Sequence, residues 1–303
     1  MRAALKESGT EVTGLKGRRY FSSIYVREPA GALIELATDG PGMTIDEPLE
    51  SLGTRLFVPP NDVERAEDIR VMLPRIAKPG EEREMQPELP FVHRLYRPDD
   101  PDGSTLVLLH GTGGNETDLL PMGRRIAPHA ALLGVRGRSA EEGVLRWFRR
   151  LSATTFDQAD VRAEAEAFAD FLPEAFRSYR IDPTRATLVG YSNGANFIAA
   201  LMLLNPDLVP RAALLRAMLV LDDPAAADLA GSAAVTVTGR SDPYGRYAPA
   251  LNDCLRELGA RVDACWVPAG HELIEEDIAI VQGWIAGLKP EGERVDASRL
   301  NEQ

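Results

Sequence analysis

The chain has 303 residues, 44% of them apolar, which is enough to bury one large α/β core. Its 46 acidic and 34 basic residues leave a net charge of −12, which argues against nucleic acid or an anionic membrane as a partner. The polar opening MRAALKESGTEVTG lacks a signal-peptide core, and no run approaches the roughly 18 apolar residues that span a bilayer. We therefore expect a cytoplasmic protein.

The amino-terminal segment, residues 1–60, contains two β-rich runs joined through EPAG, which predicts a β-hairpin extension. About 60 residues are too few for a convincing core, so we expect the hairpin to pack on the main domain or on a second subunit, as in a homodimer.

Residues 61–90 are charged and contain prolines, which predicts a linker with one short helix. Residues 290–303 are expected to form a flexible tail.

From Thr105 onward, short apolar runs alternate with helix-length amphipathic segments. This alternation predicts a doubly wound, mostly parallel sheet covered by helices on both faces, over residues 91–289. Cys254 and Cys265 fit no metal-ligand spacing and are expected to be ordinary thiols. The predicted strands are TLVLLHG, AALLGVRG, ATLVGYS, AALLRAMLVL, AAVTVTG and RVDACWVPAG.

Ser192 lies in GYSNG, between the predicted strand ATLV and the predicted helix ANFIAALMLLN. A turn this tight forces the serine into a strained conformation and exposes its hydroxyl above the start of a helix. Gly190 and Gly194 provide the room that the turn requires. The pattern predicts a nucleophile, whereas the alternative is a serine that only caps the helix.

A serine nucleophile needs a histidine base, and the chain has four histidines. His271 follows the last predicted strand, so it lies at the same edge of the sheet as Ser192 and is the expected base. His93 and His129 are expected to be structural, and His110 is expected to anchor a loop.

Two loops compete to supply the carboxylate that orients the histidine. Asp242 follows the strand just before the one that carries His271, which favours this residue. Asp222 and Asp223, after the preceding strand, remain an alternative. The order serine, aspartate, histidine along the chain permits either choice.

The glycine-rich loop HGTGGNETDLLP follows the first parallel strand and precedes a helix. It lacks the lysine and the spacing of a phosphate-binding loop. We expect the backbone N–H groups of Thr112 and Asn193 to bind the oxyanion that forms when an acyl group is attacked.

The segments HGTGGNETDLLP, GYSNGANF, GRSDPYG and GHEL together resemble the phospholipase/carboxylesterase branch of the α/β-hydrolase superfamily, which includes acyl-protein thioesterases. The resemblance implies a serine carboxylesterase with Ser192, Asp242 and His271 as its triad and with no metal or organic cofactor. We expect its substrate to be a small-molecule ester, of a short-chain or aryl type. A thioesterase or lysophospholipase with the same triad is the alternative. The resemblance also makes Trp147 and Phe148 candidate walls of the acyl pocket, with a place in the core as the other interpretation.

Residues 18–60 resemble the carboxyl-terminal end of a glyoxalase-like ring-cleaving dioxygenase of the vicinal oxygen chelate superfamily. In that family a glutamate at the position of Glu35 helps to bind the metal, together with histidines from earlier strands. The first histidine of this chain is His93, so we expect a remnant without a metal site, and a metal-dependent dioxygenase is the alternative from another class.

Overall fold

The computed structural model describes residues 1–54, 57–74, 87–141, 143–224 and 227–288. The chain divides into two compact units, Met1–Ala66 and Glu67–Gln303. Part of the predicted linker, 75–86, and the predicted tail, 290–303, lie outside the described residues. Within the described ranges, no helix has the length and apolar character needed to cross a membrane.

The first unit contains a small antiparallel sheet in the order β1-β2-β3. The predicted hairpin is confirmed: Arg27 pairs with Leu33 across the turn, where the carboxylate of Glu28 accepts N–H bonds from Ala30 and Ala32. Strand β1 and helix α1 were not predicted. The elements are α1 Arg2–Glu7, β1 Lys16–Gly17, β2 Ser22–Arg27 and β3 Leu33–Ala37, followed by 3₁₀ turns at Met43–Ile45, Leu49–Ser51 and Pro60–Arg65.

The second unit is built on a seven-stranded sheet in the order β12-β11-β10-β9-β5-β6-β4, and helix α2 crosses the boundary between the units. Only β4, at one edge, is antiparallel to its neighbour among these described strands. The predicted mostly parallel α/β-hydrolase sheet is confirmed. The strands are β4 His93–Tyr96, β5 Thr105–Leu109, β6 Ala131–Val135, β9 Ala186–Tyr191, β10 Arg211–Leu215, β11 Ala233–Gly239 and β12 Arg261–Val267, and a hairpin of β7 Ser139–Glu141 and β8 Val144–Arg146 lies outside the sheet.

Helices cover both faces of this sheet because its central strands are apolar on both sides, as β5 and β6, buried at every position, illustrate. One face packs against α4, α5 and α6, and the other against α2, α3 and α7. Val71 of α2 is fully buried, so this helix in the predicted linker region is anchored in the core. The helices are α2 Ala66–Met72, α3 Leu120–Ile126, α4 Gln158–Tyr179, α5 Asn193–Leu204, α6 Ala248–Glu257 and α7 Glu275–Leu288.

Strand β10 is shorter than the predicted run 212–221. It ends at Leu215 because Arg216 adopts a φ of 58°, in the left-handed region that an extended strand excludes. The chain therefore turns away from the sheet at its carboxyl edge, where the candidate site lies.

Candidate active site

Ser192 occupies the turn between β9 and α5, with φ 52° and ψ −114°. This strained conformation is held by close packing of the strand on the helix. A Cβ on Gly190 would lie 2.6 Å from the Ala195 nitrogen, and one on Gly194 would lie 2.2 Å from the Leu109 carbonyl oxygen. A larger residue at either position would push the helix off the strand and move the serine.

The hydroxyl of Ser192 is hydrogen-bonded to His271, and His271 to Asp242. The distance from Ser192 Oγ to His271 Nε2 is 2.8 Å, and that from His271 Nδ1 to Asp242 Oδ2 is also 2.8 Å. Because a carboxylate only accepts hydrogen bonds, Nδ1 carries the proton and Nε2 accepts from the serine. The Asp242 side chain is 1% exposed, and its other oxygen accepts the Tyr244 N–H.

The competing carboxylates lie elsewhere. Asp222 and Asp223 are exposed, and the backbone of Asp222 bonds to the Gln158 side chain. Their loop follows β10, whereas the Asp242 loop follows β11, which pairs directly with β12, the strand that leads to His271.

Two of the other histidines have structural surroundings outside this cluster. His93 is buried on β4, where its Nε2 lies 2.8 Å from the Tyr179 hydroxyl. The side chain of His129 is 60% exposed, and its Nδ1 lies 3.0 Å from the carbonyl oxygen of Asp100.

His110 anchors the glycine-rich loop, as expected from the sequence. The Gly137 N–H donates to its Nε2 at 3.0 Å, so the proton sits on Nδ1 and is donated to the Gly111 carbonyl at 2.7 Å. Burial lowers the pKa of His110, which keeps the ring neutral in this role.

Thr112 and Asn193 line the same cavity as Ser192. Asn193 is the first residue of α5, where backbone N–H groups have no acceptor within the helix. In the described part of the chain, neither amide has a hydrogen-bond acceptor. Two such donors beside a serine hydroxyl can stabilise an oxyanion.

An arginine that sequence reasoning missed fixes the histidine loop. Arg216 donates to the carbonyl oxygens of Gly270 and Glu272, at 3.1 and 2.7 Å, on either side of His271. The same guanidinium forms a bidentate ion pair with Asp277, at 2.7 and 2.9 Å, and both side chains are 0% exposed. One feature of the sequence could have indicated this residue. An arginine stands inside the apolar run AALLRAMLVL, and an arginine that is buried with such a run requires a charged partner.

Replacing Arg216 with methionine leaves the Asp277 carboxylate buried without its countercharge. We expect the free energy of unfolding to fall by about 3–5 kcal/mol in urea denaturation. A matched control is Arg125→Met, which removes an ion pair to Glu275 whose side chains are 44% and 73% exposed; it should cost at most about 1 kcal/mol.

Adding Asp277→Asn to Arg216→Met removes the uncompensated charge and should restore part of the loss. An Arg216→Met protein no less stable than Arg125→Met would contradict this account of the ion pair.

Trp147 and Phe148 are core residues, which corrects the expectation that they form the pocket wall. Both are 0% exposed and neither lines the cavity at Ser192. The Trp147 ring stacks on Phe197 of α5, and its indole N–H donates to the His110 carbonyl. Phe148 packs edge-on against Phe156, which does reach the cavity. Two large aromatic rings fit the core here because α4 and α5 supply aromatic partners.

The cavity at Ser192 has a volume of about 200 Å³. Besides Ser192 and His271, its walls combine Thr112 of the glycine-rich loop with apolar side chains and several polar groups. The lining residues are Thr112, Arg146, Arg150, Ala153, Phe156, Ser192, Asn193, Asn196, Arg216, Met218, Tyr244 and His271.

A larger cavity, of about 440 Å³, opens at the opposite edge of the sheet. Its walls include Thr105, Thr187 and Arg211, at the amino ends of β5, β9 and β10. Parallel α/β sheets bind their ligands at the carboxyl ends of the strands, and Ser192 and His271 are not part of this second wall. Any reaction of Ser192 and His271 would therefore take place in the smaller cavity.

The chain is similar to hydrolases over 60% to 66% of its length. A Bacillus subtilis (strain 168) protein named as a hydrolase, MhqD, is 38% identical over 183 residues, which cover 60% of this chain and 92% of MhqD. The solved carboxylesterase from Mesorhizobium loti is 46% identical, with a TM-score of 0.65, and the match covers 66% of this chain and 96% of that one. No protein-family model matches the chain.

A separate similarity concerns a ring-cleaving dioxygenase. The Bacillus subtilis (strain 168) protein named as such, MhqA, is 41% identical over 69 residues, which are 23% of this chain and 22% of MhqA. The matches to the two hydrolases cover 92% and 96% of those relatives. The chain belongs to the carboxylesterase branch of the α/β-hydrolase superfamily and is a carboxylic-ester hydrolase.

Proposed function

We propose that residues 91–289 form the catalytic domain of a serine carboxylesterase in which Ser192 is the nucleophile, His271 the general base and Asp242 the residue that orients the base. The observation that carries the proposal is the pair of 2.8 Å hydrogen bonds that join these three side chains. A hydroxyl is a weak nucleophile until a neighbouring base takes its proton, and this arrangement supplies that base.

In the first half of the reaction, Ser192 Oγ attacks the ester carbonyl carbon while His271 Nε2 accepts the hydroxyl proton. The amides of Thr112 and Asn193 donate to the oxyanion that develops. His271, held by Asp242, then passes the proton to the departing alcohol. An acyl ester on Ser192 remains.

In the second half, water attacks the acyl ester and His271 accepts a proton from that water. The same two amides stabilise the second oxyanion. Collapse of this intermediate returns the proton to Ser192 and releases the carboxylic acid. Every proton movement in both halves uses His271 Nε2, which lies 2.8 Å from Ser192 Oγ.

The size of the cavity favours short acyl groups. A volume of about 200 Å³ lies below the range of about 300–1,000 Å³ that drug-sized ligands occupy, and the buried side chains of Phe156 and Met218 bound it. We expect kcat/KM for 4-nitrophenyl esters to be highest between acetate and butyrate and to be at least about tenfold lower for octanoate.

Replacing Phe156 with alanine removes part of the cavity wall. The variant should therefore show its highest kcat/KM with longer acyl chains than the wild-type enzyme does. An optimum at palmitate in the wild-type enzyme, together with turnover of palmitoyl thioesters, would favour the thioesterase or lysophospholipase alternative instead.

The similarity of the amino-terminal segment to a ring-cleaving dioxygenase supports an ester that arises in the breakdown of aromatic compounds. The match covers 22% of that relative, which is too small a part of it to carry its activity. The Glu35 carboxylate accepts a hydrogen bond from the Tyr25 hydroxyl at 2.6 Å.

A further inference from the structure

Two asparagines on α5 line the cavity at Ser192, and the side-chain oxygen of each is already occupied. Asn193 and Asn196 are three positions apart, so their side chains lie on one face of the helix. The oxygen of Asn193 accepts the Trp147 N–H at 2.8 Å. The oxygen of Asn196 accepts the Met218 N–H, also at 2.8 Å. Because a backbone N–H can only donate, these bonds fix which end of each amide is the oxygen and leave the NH₂ group for another partner.

The two NH₂ groups are donors without an acceptor in the part of the chain that the structure describes. Both asparagines are 7% exposed, yet neither NH₂ nitrogen is one of the described side-chain atoms that lack both exposure and a hydrogen-bond partner. Since neither nitrogen has a partner, each keeps some exposed surface. Donors of this kind bond to water until a ligand atom replaces the water.

The position of Asn196 places its amide on the acyl side of the proposed reaction. Asn196 lies one helical turn beyond Ser192, with its backbone N–H donating to the Ser192 carbonyl at 2.9 Å. Its side chain is bonded to the backbone of Met218, which bounds the cavity together with Phe156. These two apolar side chains form the wall that we expect to limit the length of the acyl chain. A donor group therefore lies beside this otherwise apolar wall.

We propose that the NH₂ groups of Asn193 and Asn196 project into the cavity and select esters whose acyl group carries a second, uncharged oxygen acceptor, such as an ether or keto oxygen. An alkyl chain of the same length would displace water from these donors and leave them unpaired, which is costly for a buried group. A site that hydrogen-bonds a polar group of its substrate discriminates against the analogue that lacks it. The inference rests on the proposed function, because it places the acyl group relative to an ester held at Ser192.

The test compares pairs of 4-nitrophenyl esters that differ by one oxygen in place of a methylene group. The pairs are methoxyacetate with butanoate and 3-methoxypropanoate with pentanoate. Each kcat/KM is divided by the rate constant for alkaline hydrolysis of the same ester, which removes the effect of the oxygen on the reactivity of the carbonyl. We expect the ether to be favoured by at least about fivefold in one pair. A smaller preference in both pairs would overturn the inference.

Charge does not enter this comparison, because every test ester is neutral. The guanidinium groups of Arg146 and Arg150 lie in the cavity wall, and the Glu141 carboxylate accepts the Arg150 N–H at 3.1 Å. These groups act on both members of a pair. The ratio of ether to alkyl kcat/KM should therefore be the same at low and high salt. A preference that disappears at high salt would assign it to charge and contradict the role of the asparagines.

Replacing Asn196 with aspartate keeps an oxygen for the Met218 N–H and removes the NH₂ donor. We expect Asn196→Asp to lower the ratio of ether to alkyl kcat/KM by at least about fivefold, and Asn193→Asp to lower it as well. The matched control is Asn252→Asp on α6. Asn252 is 6% exposed and is not among the residues that line the cavity, so this variant should keep the wild-type ratio. An Asn196→Asp enzyme that keeps the wild-type ratio would overturn the inference.

Failure of this inference is distinguishable from failure of the proposed function. Hydrolysis of alkyl esters that depends on Ser192, with no preference for the ether in either pair, would overturn the inference alone. If no ester is turned over, nuclear magnetic resonance of the Ser192→Ala protein still decides it. We expect methyl methoxyacetate to shift the side-chain NH₂ signals that disappear when Asn196→Asp is added, and methyl butanoate to leave them in place. The same response to both esters would overturn the inference.

Discussion

Replacing Ser192 with alanine is expected to abolish ester hydrolysis, with kcat reduced by about 10⁵- to 10⁶-fold, the effect found when a serine nucleophile is removed from a triad. The reason is that Ser192 is the residue whose hydroxyl contacts His271 Nε2 among the described residues that line the cavity. The measurement is the initial rate of 4-nitrophenyl acetate hydrolysis at saturating substrate.

The Ser192→Ala protein should remain folded, because its hydroxyl makes a polar contact at the cavity surface and the turn is held by the packing of Gly190 and Gly194. Its circular dichroism spectrum should match that of the wild type. Ser178→Ala, which alters an exposed serine on α4, is the matched control and should keep full activity. A Ser192→Ala enzyme with near-normal rates would contradict the assignment of Ser192 as the nucleophile.

Replacing Asp242 with asparagine is expected to reduce kcat by about 10⁴-fold. The amide NH₂ of asparagine would face His271 Nδ1, which would then have to accept a hydrogen bond and lose its proton. The proton would move to Nε2, where it would block transfer from Ser192. The shape of the side chain is nearly unchanged, so the loss would come from the wrong tautomer of the histidine.

The competing carboxylates provide the controls for this prediction. Asp222→Asn and Asp223→Asn alter exposed residues on another loop and should leave kcat within about twofold of the wild-type value. A large loss for either of them, with Asp242→Asn unaffected, would contradict the assignment of the carboxylate.

The sheet could be predicted because its strands and helices alternate in the sequence, and each strand of a parallel sheet is apolar on both faces. The end of β10 could not, because it depends on Arg216 and its partner Asp277, which lies 61 positions away. A left-handed backbone conformation at a residue whose side chain is paired with a distant carboxylate leaves no local pattern except the interruption of an apolar run.

The positions of Ser192 and His271 could be predicted because each residue follows a strand of the parallel sheet. Ser192 and His271 end up together because β9 and β12 are parallel and finish at one edge. The walls of the cavity were not predictable in the same way. Trp147 and Phe148 lie next to Arg146 in sequence, yet the rings point into the core while the arginine lines the cavity, because the local chain is fixed by contacts with α4 and α5.

Turnover is expected to pass through an acyl ester on Ser192, which mass spectrometry of the enzyme quenched in acid during turnover of 4-nitrophenyl acetate detects directly. We expect one added acetyl group on the peptide that contains Ser192, and its absence from the same peptide of the Ser192→Ala protein. Rapid product formation with Ser192 unmodified, or with the acetyl group on another residue, would contradict it.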